Sequence, residues 1–538
     1  MTTIQGYLAL VLHAHLPFVR HPEHEYFLEE DWLFEAITES YIPLLQILES
    51  LATDEVPFQL TLSMSPSLVS MLNDDLLRSR YDRYLLQTQS LLQHELKRTC
   101  ANKQLNNLVK FYLERVARVR KTWEEKNGDL VKAFGRLQDQ GHLDILTCAA
   151  THGYLPLLQM QPQAVWAQIK IATDHYREVF GIPPKGFWLP ECAFFPGLDV
   201  MLADAGLRYF VAEGHAVEFA RPRPQFGTFA PVYSANSGVA VFPRDQETAL
   251  QVWSREHGYP GDICYREFYR DIGFDLDLET IGPFLKPPEI RKSTGIKYHR
   301  ITGNTEDKEL YDPFSARDRA AKHADDFVRS RSHQMERIRS QIGRPPIVVA
   351  PYDAELFGHW WYEGILWLEF VFRKCALGKS NFRLTHLKNY LKTNSEQQMV
   401  EPSQSSWGYR GYHQIWLHES NEWIYPKLHW AAAQMIKMAD RWPNSNGLQK
   451  RALKQAAREL LLAQASDWAF MMQAGTTDGY AKQRTGIHMD RFSQLREQIC
   501  IGAICESTLS EIENRDNIFP NIDYRVYGTH RHALDNSY

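Results

Sequence analysis

Two carboxylates stand out because each follows a short apolar run. Glu191 lies in GFWLPECAF and Asp353 in IVVAPYDAELFGHWW. A carboxylate wedged among aromatic rings is poorly solvated, which raises its pKa unless donors surround it. A carboxylate that attacks must stay ionised, so it needs such donors. Two carboxylates on opposite sides of one pocket are what glycoside hydrolysis or transfer requires: one attacks, the other gives and then takes back a proton. The plainer alternative is a salt-bridged carboxylate at a strand end. Glu355, two residues past Asp353, is expected to point elsewhere.

His13-x-His15 supports three readings. Alternation along a strand puts both rings on one face. They could hydrogen-bond within the protein or recognise sugar hydroxyls. They could also hold zinc, as in metal-dependent amide hydrolases, with His152, His215 and Asp353 completing the ligand set. Seven tryptophans fall near these segments: Trp32, Trp188, Trp253, Trp360, Trp407, Trp416 and Trp423. Sugar C–H faces pack on such rings, although any single Trp can equally be core. Asp467, in SDWAF, is either a helix N-cap or a contact to a sugar hydroxyl.

These residues need a scaffold. Seven short apolar runs each end in polar residues: Tyr7–Leu12, Phe58–Leu62, Leu143–Cys148, Gly186–Leu189, Arg208–Ala212, Val239–Phe242 and Ile347–Ala350. Continuous apolar runs suit parallel strands buried on both faces. Helical patterns such as Phe34–Leu51 and Pro162–Phe180 lie between them, so the class is parallel α/β. Barrels of this type build their sites at the C-terminal strand ends. Those ends here carry His13, His15, His152, Glu191, His215, Arg244 and Asp353. The expected fold is a TIM-like barrel of seven strands, or eight. A doubly wound sheet is second, since it lacks a Gly-rich turn after its first strand.

The barrel is expected over residues 1–390, with a charged helical insertion at 67–140. A second insertion, 244–346, contains GYPGDICYREFYRD and reads as a long binding loop, with Tyr259 in a lid over the site. Residues 391–538 read as a helical C-terminal domain that adds to the cleft. Its last 20 residues are expected to form a surface tail.

The 538 residues carry 60 Lys+Arg against 65 Asp+Glu, a net charge of −5. No basic excess points to nucleic acid or an anionic membrane. No run of 18 apolar residues can span a bilayer. The seven cysteines are scattered without a CxxC, which favours a reducing compartment over a disulfide framework or zinc knuckle. The N-terminus has no cationic leader region and reads as a first strand, so a cytoplasmic location is expected.

Taken together, LHAHLPF, THGY, GFWLPECAF and APYDAELFGHWW resemble the sequence regions of glycoside hydrolase family 57. QVWSREHGYPGDICYREFYRD, SSWG…WL and SDWAF are similar to the 1,4-α-glucan branching enzymes of that family. The segment after Asp271 departs from the family pattern. The resemblance implies a (β/α)7 barrel with a helical insertion and a helical C-terminal domain. It implies an α-glucan substrate and a retaining double displacement with neither metal nor cofactor. Glu191 is then the nucleophile and Asp353 the general acid/base. His13, His15, His152, Arg266, Trp407 and Asp467 become substrate-binding residues, with Trp32, Trp188, Trp253, Trp360 and Trp416 as aromatic cleft residues. Branch formation is the expected reaction. A family 57 α-amylase or 4-α-glucanotransferase is the near alternative, and a zinc amide hydrolase the remote one.

Overall fold

In the first strand, GYLALVLHA, side chains alternate between two different cores. The computed structural model describes residues 4–254 and 258–529. In β1 (Gly6–Ala14), Ala9 and Val11 point inward, where Leu146, Trp188, Val211, Phe242 and Val349 from other strands meet them. Leu8, Leu10 and Leu12 point outward and join the core under the surrounding helices. The inside is thus a packed core whose top layer holds His13.

Six more parallel strands complete the ring: β2 (Leu60–Met64), β3 (Leu143–Cys148), β4 (Gly186–Trp188), β5 (Tyr209–Ala212), β7 (Ala240–Pro243) and β8 (Ile347–Asp353). All seven expected runs are strands. Their order around the sheet is β7-β5-β4-β3-β2-β1-β8, so successive strands are neighbours except where β8 returns beside β1. β7 and β8 do not pair as strands. Single backbone hydrogen bonds bridge that seam, from Asp245 to Val349 (2.9 Å) and from Ile347 to Phe229 (2.9 Å). Three short strands lie outside the ring. β6 (Val232–Ser234) runs antiparallel to β7, β9 (Phe382–Leu384) pairs with β1, and β10 (Met399–Val400) pairs with β6. The bottom is plugged by the Leu387–Thr393 helix, which packs Leu387 and Tyr390 into the interior.

Close packing dictates Gly186. A Cβ there would sit 2.2 Å from Leu146 and 2.3 Å from Tyr209. Its absence lets β4 lie deep enough to bring Trp188 beneath the mouth.

Between β2 and β3 run helices Pro66–Leu72, Asp75–Arg98, Lys103–Glu125 and Leu130–Asp139. The second insertion differs from its reading as loop. It contains a 30-residue helix, Pro313–Ile342, capped by Asp312 and ended by Gly343 in the left-handed region. The helix was hidden by its Arg- and Asp-rich surface. The stripe that faces the fold is weakly apolar: Ala316, Ala320, Ala324, Phe327, Val328, Met335 and Ile338, broken by Arg331 and Gln334. At the other end of the chain, helices Ile424–Arg441, Gly447–Ala463, Ser466–Ala474, Asp478–Ile501 and Glu506–Arg515 pack together. Of the expected surface tail, the described part to residue 529 is anchored instead, with Phe519, Ile522, Tyr524 and Tyr527 buried; residues 530–538 lie outside the described residues. Among the described residues no helix is long and apolar enough to cross a membrane.

Candidate active site

β4 ends in a tight turn, Pro190–Cys192, and Glu191 there has φ +63°. Cys192 (φ +50°) and His152 (φ +57°) share the left-handed region. Non-glycine residues avoid it at a cost, so three together mark a place where the fold over-determines the backbone. What imposes it is a segment from far along the chain. Ser405 pairs with Phe194 in both directions, and the Trp407 N–H donates to the Glu191 carbonyl at 3.0 Å. The Trp407 indole N–H then donates to Glu191 Oε2 at 2.7 Å. Ser466 Oγ donates to Oε1 at 2.9 Å. Burial pushes Glu191 up to about 7, opposed first by the indole hydrogen bond.

Asp353 ends β8, directly opposite His13 in register. No group among the described residues donates a hydrogen bond to its carboxyl. Burial raises its pKa well above the usual carboxylate range, and the charges of Glu355 and Glu191 add to this, while Arg244 opposes. The two carboxylates therefore differ in kind. Glu191 is cradled by two donors, and Asp353 is left to keep its proton.

The histidines form a relay behind Glu191. Ser466 gives its proton to Glu191, so its oxygen accepts from His152 Nδ1 (2.8 Å). His152 Nε2 then accepts from His13 Nε2 (3.0 Å), and His13 Nδ1 accepts from Ser63 (3.0 Å). This network assigns neutral tautomers to both rings. It agrees with their pKa values, which burial drives well below 6.5. His15 differs. Its Nε2 lies 3.1 Å from both oxygens of Asp467, and this partner outweighs burial to raise its pKa. His15 also stacks on His152 at 3.8 Å, and its Nδ1 meets Ser65 (2.7 Å). Trp188 is buried against His13 at 4.6 Å, forming the floor. Neighbouring donor atoms do cluster in two groups that could hold a cation, His13–Cys148–His152 and His15–His152–Asp467. His215 belongs to neither; its Nε2 donates to the Gly411 carbonyl (3.0 Å) and so positions the Trp407 segment.

The family described as glycosyl hydrolase family 57 has a sequence model that matches residues 9–403. This chain belongs to glycosyl hydrolase family 57. A second model, described as the C-terminal region of 1,4-alpha-glucan branching enzyme, matches residues 427–527. A 1,4-alpha-glucan branching enzyme of Thermococcus kodakarensis is 35% identical, over 96% of this chain and 78% of its own. The crystal structure titled as an alpha-amylase from Thermotoga maritima superposes with a TM-score of 0.91 at 41% identity, covering 97% of this chain and 99% of that one. A family 57 branching enzyme from Pyrococcus horikoshii gives 0.88 at 34%, covering 98% and 97%.

Within this family 57 framework, three expected site residues lie elsewhere. Arg266 is buried in an ion pair with Glu39 (2.9 Å), and its guanidinium lies over Tyr362. Its charge is spent inside the protein, where sequence alone offered no partner. Trp416 is also buried, stacked on Tyr154 at 4.4 Å, so it supports the Trp407 segment without offering a face to a sugar. Tyr259 is packed as well: its ring stacks on His323 at 4.6 Å and its hydroxyl donates to Asp326 (2.8 Å). It is an anchor for the insertion, not a flap; residues 255–257 beside it lie outside the described set. Trp360 is half-exposed on Phe268 (4.2 Å), and Trp253 is partly exposed near Trp407 (6.5 Å). Trp32 packs edge-on against Tyr480 at 5.8 Å.

Sequence reading missed Ser63, Ser65, Ser466, Tyr41 and the role of Glu355. Glu355 accepts from the His15 N–H (3.1 Å) and from the Tyr41 hydroxyl. Tyr41 reaches it from a π turn, Ile37–Tyr41, inside an otherwise α-helical stretch. The serines carried one available signal: SMS at the end of β2 alternates in step with HAH at the end of β1.

Proposed function

We propose that this chain is a 1,4-α-glucan branching enzyme acting by retaining double displacement. The observation that carries the reading is the asymmetry of the two carboxylates. Glu191, held by Trp407 and Ser466, attacks the anomeric carbon of an α-1,4 linkage. Asp353 protonates the departing 4-oxygen, and a covalent glycosyl-enzyme forms. Asp353, now ionised, takes the proton of an incoming 6-hydroxyl, which attacks the anomeric carbon, frees Glu191 and leaves an α-1,6 branch. His15 and Asp467, paired at the rim, are placed to bind sugar hydroxyls, with His13 and His152 behind them. Trp253, Trp360 and Trp407 supply flat faces along the cleft. The match of residues 427–527 to a branching-enzyme region supports transfer over hydrolysis. A cytoplasmic location is supported by seven cysteines that are all unpaired.

The Thermotoga maritima relative titled an alpha-amylase supports hydrolysis as a second reading. Incubation with amylose separates them. Branching lowers iodine staining and yields chains that isoamylase releases. Hydrolysis raises reducing ends with nothing for isoamylase to cut, and that outcome would overturn the proposal.

A further inference from the structure

Two tryptophans that the cleft does not use flank a groove on the C-terminal helices. Trp423 and Trp430 are seven residues apart, so they share one face of the Ile424–Arg441 helix, about 10 Å from each other along its axis. Across from them runs the Asp478–Ile501 helix. Between the two lies an open groove of about 380 Å³, lined by Trp423, Lys427, Trp430, Gly486, Asp490 and Ser493 among others.

The details suit a sugar chain better than a protein partner. Trp430 is 42% exposed and held edge-on by the buried Phe492. Lys427 lies over Trp423 at 4.9 Å, and Arg496 over Trp430 at 5.7 Å, so a cation braces each ring. Asp490 is exposed and has no hydrogen-bond or ion-pair partner among the described residues, which leaves its oxygens for hydroxyl donors. The groove thus alternates flat apolar faces with single polar groups, as a carbohydrate surface does.

Gly486 is the second, independent sign. It sits inside a 24-residue helix, where glycine is the poorest choice after proline. Packing does not demand it: a Cβ there would meet no atom within 4 Å. The position faces the groove, and an absent side chain keeps the groove open.

We propose that this groove is a second α-glucan binding site, remote from Glu191 and Asp353, which holds a polymer chain while the cleft works on it. The segment that brings Trp407 to Glu191 ends at Trp423. Asn421, just before it, donates to the Ala469 carbonyl of the helix that carries Asp467 (2.9 Å). A chain in the groove is therefore tethered beside the active-site wall. The choice of an α-glucan rests on the proposed function; the existence of a carbohydrate site rests on the groove.

The test compares intact wild-type protein with Trp430→Ala and Gly486→Leu. The second variant fills the groove from open space and so avoids disturbing the fold. Native gels containing amylopectin read binding without activity, and gels containing hydroxyethyl cellulose are the control. Both variants are expected to migrate faster than wild type in amylopectin only. Their KM for amylose should rise at least threefold with kcat unchanged, and rates on maltoheptaose should stay the same. Wild-type retardation and wild-type KM for amylose in Gly486→Leu would overturn the proposal. Loss of retardation in both variants, beside a wild-type chain that forms no branches, would keep the groove and reject the branching reading instead.

Discussion

Two buried clusters in this molecule are built from the same residue types and behave oppositely. At the barrel mouth Glu191, Asp353, Glu355, His13, His15 and His152 crowd together. In the C-terminal helices Glu459, His488 and Asp516 do the same. His488 lies 2.7 Å from Glu459, and Asp516 is paired with Arg491 and, at 3.8 Å, with Arg484. Gln455 adds a hydrogen bond to Glu459 (2.8 Å). Arg491 and Arg484 thus answer Asp516 on the spot, while burial raises both carboxyls and pushes His488 down to about 3, keeping it neutral. At the mouth the cations are sparse. Among the described residues Asp353 has no ion pair, and the nearest to Glu191 is a neutral His152 at 3.9 Å. The backbone is strained at His152, Glu191 and Cys192, whereas Glu459, His488 and Asp516 carry no such strain. The difference teaches that burial alone does not mark a catalytic cluster. What marks it is charge left uncompensated on a backbone forced into place.

The comparison breaks most sharply at Glu191. Glu191→Gln should lower turnover by roughly 10⁴-fold or more while leaving glucan binding near wild type. It should also stabilise the fold. Glu191 has a pKa raised from 4.5 to about 7 in the native state. The native state therefore binds more protons than the unfolded one, and stability falls as pH rises from about 4.5 through 7. Gln removes that loss, of order 3 kcal/mol. Calorimetry at pH 8 should show a higher Tm for the variant, and the gain should vanish near pH 4. Equal Tm values at both pH values would contradict the reading of Glu191 as an under-compensated charge.

Glu459→Ala should do the reverse. Removing one partner from a paired buried cluster costs about 3–5 kcal/mol. Urea unfolding should show the loss, and kcat of the folded protein should stay within about twofold. A large kcat defect in stable protein would mean that the C-terminal cluster is not merely structural.

Ser466→Ala sharpens the comparison. It removes one of the two donors to Glu191, so the carboxylate ionises less readily. The acidic limb of the pH–rate profile should move upward, and kcat at neutral pH should drop about 10- to 100-fold. An unmoved limb would show that the relay from Ser63 does not reach Glu191. Smallest of all should be Tyr259→Phe. It loses the hydrogen bond given to Asp326 and the one accepted from Gln251, each worth about 1 kcal/mol. The ratio of branch formation to reducing-end release should not change. A shift of that ratio toward hydrolysis would restore Tyr259 to the role of water shield.

Much of this was legible in the chain. The seven strands followed from apolar runs that ended in polar residues. The two carboxylates and HAH followed from the types found at those ends. What stayed hidden were pairings over long separations. Nothing local says that Arg266 meets Glu39, or that Trp416 lies flat on Tyr154. The Pro313–Ile342 helix hid behind its charge, because alanines, an arginine and a glutamine supply more than half of its buried stripe. Ser466 hid in plain view beside Asp467. Its importance comes from an antiparallel bridge between Gly153 and Ala465, which no spacing along the sequence encodes.

That bridge has a consequence for how the molecule comes into being. The ring of strands is finished once residue 353 has been made, yet the donors that ionise Glu191 arrive only with Trp407 and Ser466. A chain still emerging from the ribosome can close its barrel, while the turn that carries Glu191 still lacks both the segment that fixes it and the groups that donate to its carboxylate. Contacts spanning this much sequence are also among the slowest to form. The nucleophile is therefore armed last, by the docking of the final helices, and no unfinished chain carries a working catalyst.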